Sequence, residues 1–386
     1  MRVLVTTSGS AGHLLPLVPF TDALRDRGAE ILVATRASTA DAVRAHGFDV
    51  WPFGEAPSAE RDPIFASAQG RSNDEANILV VTEAFARLDA RAALPGVLDA
   101  CRTWRPDLVI NEVTEFAGPL AATHEGIPYA TVGISLAALE RKVMPHVGAV
   151  LDELRAELGT PPGAHVPSRM LSLAPPALDD PAPEQLLRFR HRDAGAPRPL
   201  PDFWDGADGP LVYVTFGSVA PQMGFFPDLY RAAVDALAGL PVRVLVTTGR
   251  AGDPAALGAL PANAHAERWV PQADLLPHVA ALVCHGGSGT VHGGLAAGVP
   301  MAVLPLFADR PYNAACVAEI GAGVALAQGP AGIAGVADAV RALLEDPAYA
   351  GRARAIAAET RRLPTVDAAA EVLHELAHVP ATTQAG

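Results

Sequence analysis

Short apolar runs alternate with longer stretches of helical periodicity, and this alternation occurs twice along the chain. Apolar runs over 3–7, 31–34, 48–53, 108–111 and 129–132 read as buried strands. The stretches over 14–27, 39–46, 75–104 (with a break at Pro95) and 115–125 read as helices, three of them closed by Gly28, Gly47 and Gly126. Strands that are apolar on both faces and separated by helices belong in a parallel sheet covered on each side. After a segment over 179–210 rich in Pro, Asp, Gly and Ala the pattern restarts. Strands are expected over 211–215, 242–246, 265–269, 281–284, 301–304 and 324–326, a helix over 227–238, and a helix-rich end over 333–378. Residues 54–74, polar with Pro and Gly, read as a loop.

The predicted fold class is therefore α/β: two Rossmann-like, doubly wound parallel-sheet domains facing across a cleft. The division places an N-terminal domain over 1–190, a linker over 191–210 and a second domain over 211–365. A C-terminal helix and tail follow over 366–386. Open parallel sheets bind ligands beyond the carboxyl ends of their strands, so residues just after strands are the candidates for chemistry.

Composition narrows the function. Half of the 386 residues are apolar and only 5% aromatic, so the cores are built of Ala, Val, Leu and Ile. The net charge of −13, from 29 basic and 42 acidic residues, is a poor match for duplex nucleic acid. Lys142 is the sole lysine, a bias expected of a GC-rich genome. Cys101, Cys284 and Cys316 are widely spaced and make no CxxC pair, which suits a reducing cytoplasm. The start MRVLVTT reads as a strand and not a signal peptide, and no apolar run reaches the ~18 residues of a membrane span.

The run Cys284-His285-Gly286-Gly287-Ser288-Gly289-Thr290 follows a strand and opens a helix. Glycines admit a ligand close to the backbone, the helix start offers N–H groups and partial positive charge, and Ser288, Thr290 and His285 add donors. Together they form a metal-free cradle for a diphosphate. The competing reading is an ordinary strand-to-helix turn with a capping hydroxyl; His285 and the segments described next weigh against it. The lysine-bearing GxxxxGK[ST] loop and GxGxxG are both absent, which disfavours an NAD enzyme. At the other end, Ser8-Gly9-Ser10-Ala11-Gly12-His13 follows the first strand. A histidine there suits a base near neutral pH, provided a carboxylate orients it. Glu112 ends the strand over 108–111 on the same edge, whereas Asp107 lies at the opposite end. Taken alone, His13 also reads as a capping or packed residue and Glu112 as a solvated one. His374-Glu375-Leu376-Ala377-His378 spells a zinc-protease signature, but too little chain follows for a downstream third ligand, and it reads as a solvated helix face.

The set Trp269-Val270-Pro271-Gln272, His285 to Thr290, Pro300 and Phe307-Ala308-Asp309-Arg310-Pro311-Tyr312-Asn313 resembles the nucleotide-sugar signature of GT-B glycosyltransferases. The likeness is to the bacterial natural-product branch of the UDP-glycosyltransferase-like superfamily. Gly12-His13-Leu14-Leu15-Pro16-Leu17 is similar to the family's GHxxPL start, and Pro106 to Glu112 match the strand bearing its acidic partner. The resemblance spans essentially the whole chain.

What the resemblance implies is an inverting, metal-independent transfer of a deoxysugar from a nucleoside diphosphate to an apolar natural-product acceptor, with no cofactor and no metal. His13 takes the role of base and Glu112 that of its partner, where many relatives carry Asp. Trp269, Val270 and Gln272 match the base-binding segment, Ser218 a second phosphate-side loop, and His285, Gly287, Ser288, Gly289 and Thr290 the diphosphate cradle. Asp309 and Arg310 stand where relatives place an Asp-Gln pair on the sugar. Phe65, Leu136, Met144 and His146 fall where the acceptor binds. The last helix of the family packs back on the N-terminal domain. At Gly293 UDP-using relatives often hold the ribose hydroxyls with an acidic side chain; glycine there, with Arg310 in place of Gln, favours TDP over UDP. The other readings are a UDP-sugar transferase of the same fold, a GT-B nucleotide-sugar epimerase, and a non-catalytic binding partner. Expected partners are the donor and the aglycone, without nucleic acid or a membrane span, in the cytoplasm, and a homodimer is left open.

Overall fold

The computed structural model describes residues 1–161, 164–178, 185–193, 195, 198–201, 203–204 and 208–379. Most of the linker segment over 191–210 is interrupted by undescribed residues, and the expected tail beyond Val379 lies outside the described ones. The chain divides into two units. One comprises Met1–Leu173, Pro181–Arg192 and Pro364–Gly386, the other Ala174–Asp180 and Asp193–Leu363.

The first unit holds β1 (Arg2–Thr7), β2 (Glu30–Arg36), β3 (Asp49–Phe53), β4 (Leu108–Glu112), β5 (Tyr129–Val132), β6 (Ser168–Ser172) and β7 (Leu186–Arg188). They form a seven-stranded sheet in the order β3-β2-β1-β4-β5-β6-β7, with every pair parallel. Val3, Leu4 and Val5 are fully buried, so both faces of β1 are covered, as a parallel sheet requires. The chain leaves β1 for β2 on one side and returns as β4 on the other, which opens a crevice where the connections diverge. There Thr6 of β1 stands opposite Asn111 of β4.

The second unit holds β8 (Leu211–Thr215), β9 (Arg243–Thr247), β10 (Ala264–Glu267), β11 (Val279–Cys284), β12 (Met301–Val303) and β13 (Gly323–Ala325). Their order, β10-β9-β8-β11-β12-β13, repeats the same divergence between β8 and β11. The expected fold class, two doubly wound Rossmann-like sheets, is what the chain adopts.

Several local expectations are corrected. The segment over 54–74 contains a helix, Ser58–Ala68, none of whose residues is buried; without an apolar stripe it left no periodic signal. The helical stretch before Pro95 includes a π-helical segment, Val80–Asp89, and Pro95 lies inside the continuous helix Ala90–Trp104. Proline there forfeits a hydrogen bond at a cost of about 3 kcal/mol, offset by burial of Ala93, Leu94, Val97, Leu98 and Cys101 on the same helix. The stretch over 14–27 is two helices, Ala11–Leu14 and Val18–Arg25. Strands β6 and β7 are short and only partly buried, and β7 lies within the Pro-rich segment.

The C-terminal helix Val366–Ala377 buries Val366, Ala369, Ala370, Leu373 and Leu376 in the core of the first unit, beside Leu17, Phe20 and Leu24. Arg192 ties this end down through Asp367 at 2.6 Å and Asp26 at 2.5 Å. Among the described residues no helix is long and apolar enough to cross a membrane. The three cysteines are free thiols.

Candidate functional site

The β1–β4 crevice brings His13 and Glu112 together across 99 residues of sequence. After β1 the chain turns through Gly9 at φ +81°, where a Cβ would stand 2.1 Å from Thr39 Oγ1, so only glycine fits. The turn leads into the helix Ala11–Leu14, which carries His13 over the sheet edge. Glu112 is the last residue of β4 and has no solvent exposure. His13 Nδ1 lies 2.8 Å from Glu112 Oε1. Thr114 donates to Oε2 from both its backbone N–H and its hydroxyl, each at 2.7 Å. Burial by itself raises the Glu112 carboxyl, but His13 and the Thr114 donors outweigh it and hold the group below its ordinary value. An ionised carboxylate at Nδ1 fixes the tautomer with the proton on that nitrogen and leaves the proton-accepting lone pair on Nε2.

Glu115 is a second buried carboxyl close by, yet it does not serve His13. It accepts from Ala117 N–H at 2.8 Å, from Gly118 N–H at 2.9 Å and from the Thr6 hydroxyl. Burial pushes it up to about 7, against these hydrogen bonds. It anchors the start of the helix Ala117–Glu125 to β1.

A cavity of about 160 Å³ opens beside His13. Phe53, Phe65 and Phe85 supply its apolar wall, and Arg36, Arg61 and Asp89 a polar one. The His13 and Phe85 rings meet edge to face with centroids 6.2 Å apart. Of the four residues expected at an acceptor, Phe65 lines this cavity; Leu136, Met144 and His146 do not, and Leu136 is fully buried. Phe85 and the Arg36–Asp89–Arg61 cluster escaped sequence reasoning. They sit on a π-helical segment, a strand end and a helix without an apolar face, and no motif marks them.

In the second unit the cradle forms where β8 and β11 diverge. His285 is 5% exposed and lies against two glycines: a Cβ at Gly217 (φ +76°) would come within 2.7 Å of its ring, and one at Gly287 within 2.5 Å. Burial, with the Arg310 guanidinium nearby, pushes the imidazole down to about 3, so it is neutral at physiological pH. Its Nδ1 has no hydrogen-bond partner among the described residues. A neutral ring keeps that cost to about 1–3 kcal/mol. Gly287 caps the helix Ser288–Ala297. The N–H groups of Thr290 and Val291 both turn back to Gly287 O at 3.0 Å. The Ser288 and Gly289 amides are the ones left at the helix start for an anion. Ser218 is exposed on the turn after β8.

Ser288, Asp309 and Asn313 form one network. Ser288 Oγ donates to Asp309 Oδ2 at 2.8 Å, and buried Asn313 donates from Nδ2 to Gly286 O at 2.7 Å and to Asp309 Oδ2 at 3.0 Å. Asn313, the last residue of the signature run and given no role there, thus locks the turn at 286–288 to the helix Arg310–Glu319. Arg310, expected on the sugar, is 9% exposed, its guanidinium lies 3.7 Å from the Phe307 ring centroid, and Nη1 donates to Phe307 O at 3.1 Å. Trp269 is 52% exposed just beyond β10, with the Arg250 guanidinium 4.8 Å from its centroid. Val270 and Gln272 are half-buried beside it. Gly293 lies on the helix Ser288–Ala297, where a Cβ would make ordinary contacts of 3.5 Å with Gln272 Oε1 and 3.6 Å with Leu276 Cδ1.

The zinc-protease-like segment holds no comparable site. His378 closes the helix Val366–Ala377 and its Nδ1 donates to His374 O at 2.7 Å. Among the described residues no group of three His, Cys, Asp or Glu is placed to hold a metal.

The chain matches known proteins along its length. The UDP-glucoronosyl and UDP-glucosyl transferase family matches residues 198–358, and the erythromycin biosynthesis protein CIII-like N-terminal domain matches residues 22–149. Elloramycin glycosyltransferase ElmGT of Streptomyces olivaceus is 34% identical over 99% of both chains. The crystal structure of glycosyltransferase SnogD from Streptomyces nogalater superimposes with a TM-score of 0.77 at 28% identity, over 98% of this chain and 99% of that one. Glycosyltransferase VinC in complex with DTDP gives a TM-score of 0.76 at 26% identity, again over 98% and 99%. With a glycine-rich strand-to-helix turn in one unit and a His–carboxylate pair in the other, the chain belongs to the bacterial natural-product branch of the UDP-glycosyltransferase-like superfamily, GT-B glycosyltransferases that move a sugar from a nucleotide donor to a small-molecule acceptor.

Proposed function

We propose that this enzyme transfers a deoxysugar from a TDP donor to its acceptor with inversion at the anomeric carbon and without a metal. The observation that carries the reading is the 2.8 Å contact between His13 Nδ1 and the fully buried Glu112. In this mechanism His13 Nε2 takes the proton of the acceptor hydroxyl as its oxygen attacks C1 of the sugar. The C1–O bond to the diphosphate breaks, and the nucleoside diphosphate leaves from the opposite face. Glu112 balances the positive charge that develops on His13. The Ser288 and Gly289 amides and the Thr290 hydroxyl meet the charge that grows on the leaving group. Asp309, held by Ser288 and Asn313, takes the sugar-side role, with the Arg310 charge beside it. His13→Ala should lower transfer at least ~10²-fold with nucleotide affinity nearly unchanged. Unchanged turnover would remove His13 as the base, and a product retaining the donor's anomeric configuration would exclude single displacement.

The TDP preference is supported by Gly293, which offers no carboxylate to a ribose 2′-hydroxyl, and by the likeness to VinC, solved with DTDP. One hydrogen bond to a charged group is worth about 1.5–3 kcal/mol, enough to decide tenfold between nucleotides.

A further inference from the structure

We infer that the cavity beside His13 selects an aromatic acceptor through an acidic oxygen, a carboxylate or phenolate, set away from the hydroxyl that receives the sugar. The inference rests on the transfer reading and narrows its acceptor from an apolar molecule to an aromatic acid.

The aromatic half of the argument is geometric. The helix Ser58–Ala68 has no buried residue of its own, yet Arg61 and Phe65, four residues apart, share the face turned to the cavity. The Phe65 and Phe85 rings stand 6.4 Å apart at 56°, and Phe85 meets His13 edge to face. A ligand that touches the base therefore lies along phenyl rings. The volume of about 160 Å³ is close to the ~150 Å³ that admits a benzene ring, so the cavity takes one ring of an acceptor whose remainder projects outward.

The acidic half comes from hydrogen-bond accounting. Arg36, Arg61 and Asp89 have side chains 16%, 22% and 12% exposed. Arg36 Nη2 donates to Asp89 Oδ2 at 2.7 Å. Arg61 Nε stands 2.9 Å from Asp89 Oδ1 in an ion pair whose two atoms are buried. The Asp89 ion pair engages Arg61 through Nε alone, although the guanidinium carries five N–H groups. Glu55 spends both oxygens on Ser38, at 2.6 and 2.7 Å. Glu55 lies near both guanidiniums as a counter-charge, but its hydrogen bonds go to Ser38, so the outer N–H groups of Arg61 are left for the cavity. A planar fork of donors is best met by two oxygens of a carboxylate or by a phenolate. The cation also lies over the Phe65 ring, 5.4 Å from its centroid, which holds the fork in place.

The test is a calorimetric titration of the purified full chain, without donor, by naphthalene-2-carboxylate and by naphthalene-2-carboxamide. The carboxylate should bind about tenfold tighter or more. Arg61→Met should remove that preference while changing the carboxamide affinity less than about twofold, and Arg61→Lys should restore part of it. Asp89 keeps Arg36 in both variants, and an unchanged Tm verifies the fold. Equal binding of the two compounds, equal weakening of both by Arg61→Met, or binding of neither would overturn the inference. No sugar is transferred in this experiment, so failure of the mechanism proposed above would leave the carboxylate preference standing, and the reverse.

Discussion

Glu112→Gln should damage catalysis more than Glu112→Ala, although glutamine is the closer mimic. Oε2 of Glu112 accepts two donors from Thr114, both at 2.7 Å. In the glutamine variant those donors hold the amide oxygen, which turns the NH₂ toward His13 Nδ1. Two donors cannot share one contact, so the imidazole shifts to the tautomer protonated on Nε2, the nitrogen that must accept the acceptor's proton. The variant loses a charge-assisted hydrogen bond worth about 1.5–3 kcal/mol, the counter-charge for the imidazolium, and the working tautomer. Together these amount to about 3–5 kcal/mol, or ~10²–10⁴ in rate. Alanine leaves a gap that water fills, and the free choice of tautomer limits the loss to ~10–10²-fold. Single-turnover transfer, read by chromatography, gives the rates; ¹⁵N-histidine spectra give the tautomer; calorimetry with TDP confirms an intact donor site. Glu112→Gln turnover within threefold of wild type, or spectra showing Nε2 unprotonated, would refute the reasoning.

Further outcomes follow from the same geometry. TDP should bind tighter than UDP, and Gly293→Glu, whose Cβ has ordinary room beside Gln272, should move the preference toward UDP; tighter binding of UDP to the wild type would reverse the donor assignment. Glu115 titrates near 7 when folded against an ordinary 4.5, so the folded state holds the extra proton and stability should fall as pH rises through that window. The span is worth about 3 kcal/mol, and Glu115→Gln should flatten that part of the Tm–pH curve; an equally steep curve would show that another group is responsible. Transfer should survive EDTA, and loss of activity restored by a divalent cation would replace the metal-free mechanism.

Features written in contiguous residues were open to sequence reading. The buried strands are unbroken Val, Leu and Ala runs, and burial on both faces selects parallel pairing without help from distant contacts. The cradle at 285–290 is a strand end, glycines and a helix start in immediate succession, so its anion-binding character is local. Other segments left no such trace. The helix Ser58–Ala68 has no buried face to impose a period, and the Pro95 helix persists because the packing of its neighbours outweighs the lost hydrogen bond. The resemblance sets Arg310 at the position of the Asp-Gln pair, whereas the stacking of its guanidinium on Phe307 is fixed by packing and has no mark in the sequence.

The sequence by itself determined the α/β class, the repetition of the pattern, and the candidates His13, Glu112 and the cradle, because periodicity and strand-end position are properties of neighbouring residues. Only the tertiary structure decided that Glu112, and not Glu115 three residues on, faces His13. That choice depends on β4 lying beside β1 and on the direction in which the chain leaves the sheet: Glu112 still belongs to the strand, whereas Glu115 has turned under the next helix to meet Thr6. The same holds for the guanidinium pair in the cavity beside His13. Arg36, Arg61 and Asp89 come from a strand end and two helical segments, and hydrogen bonds between such distant groups exist only once packing has fixed all three.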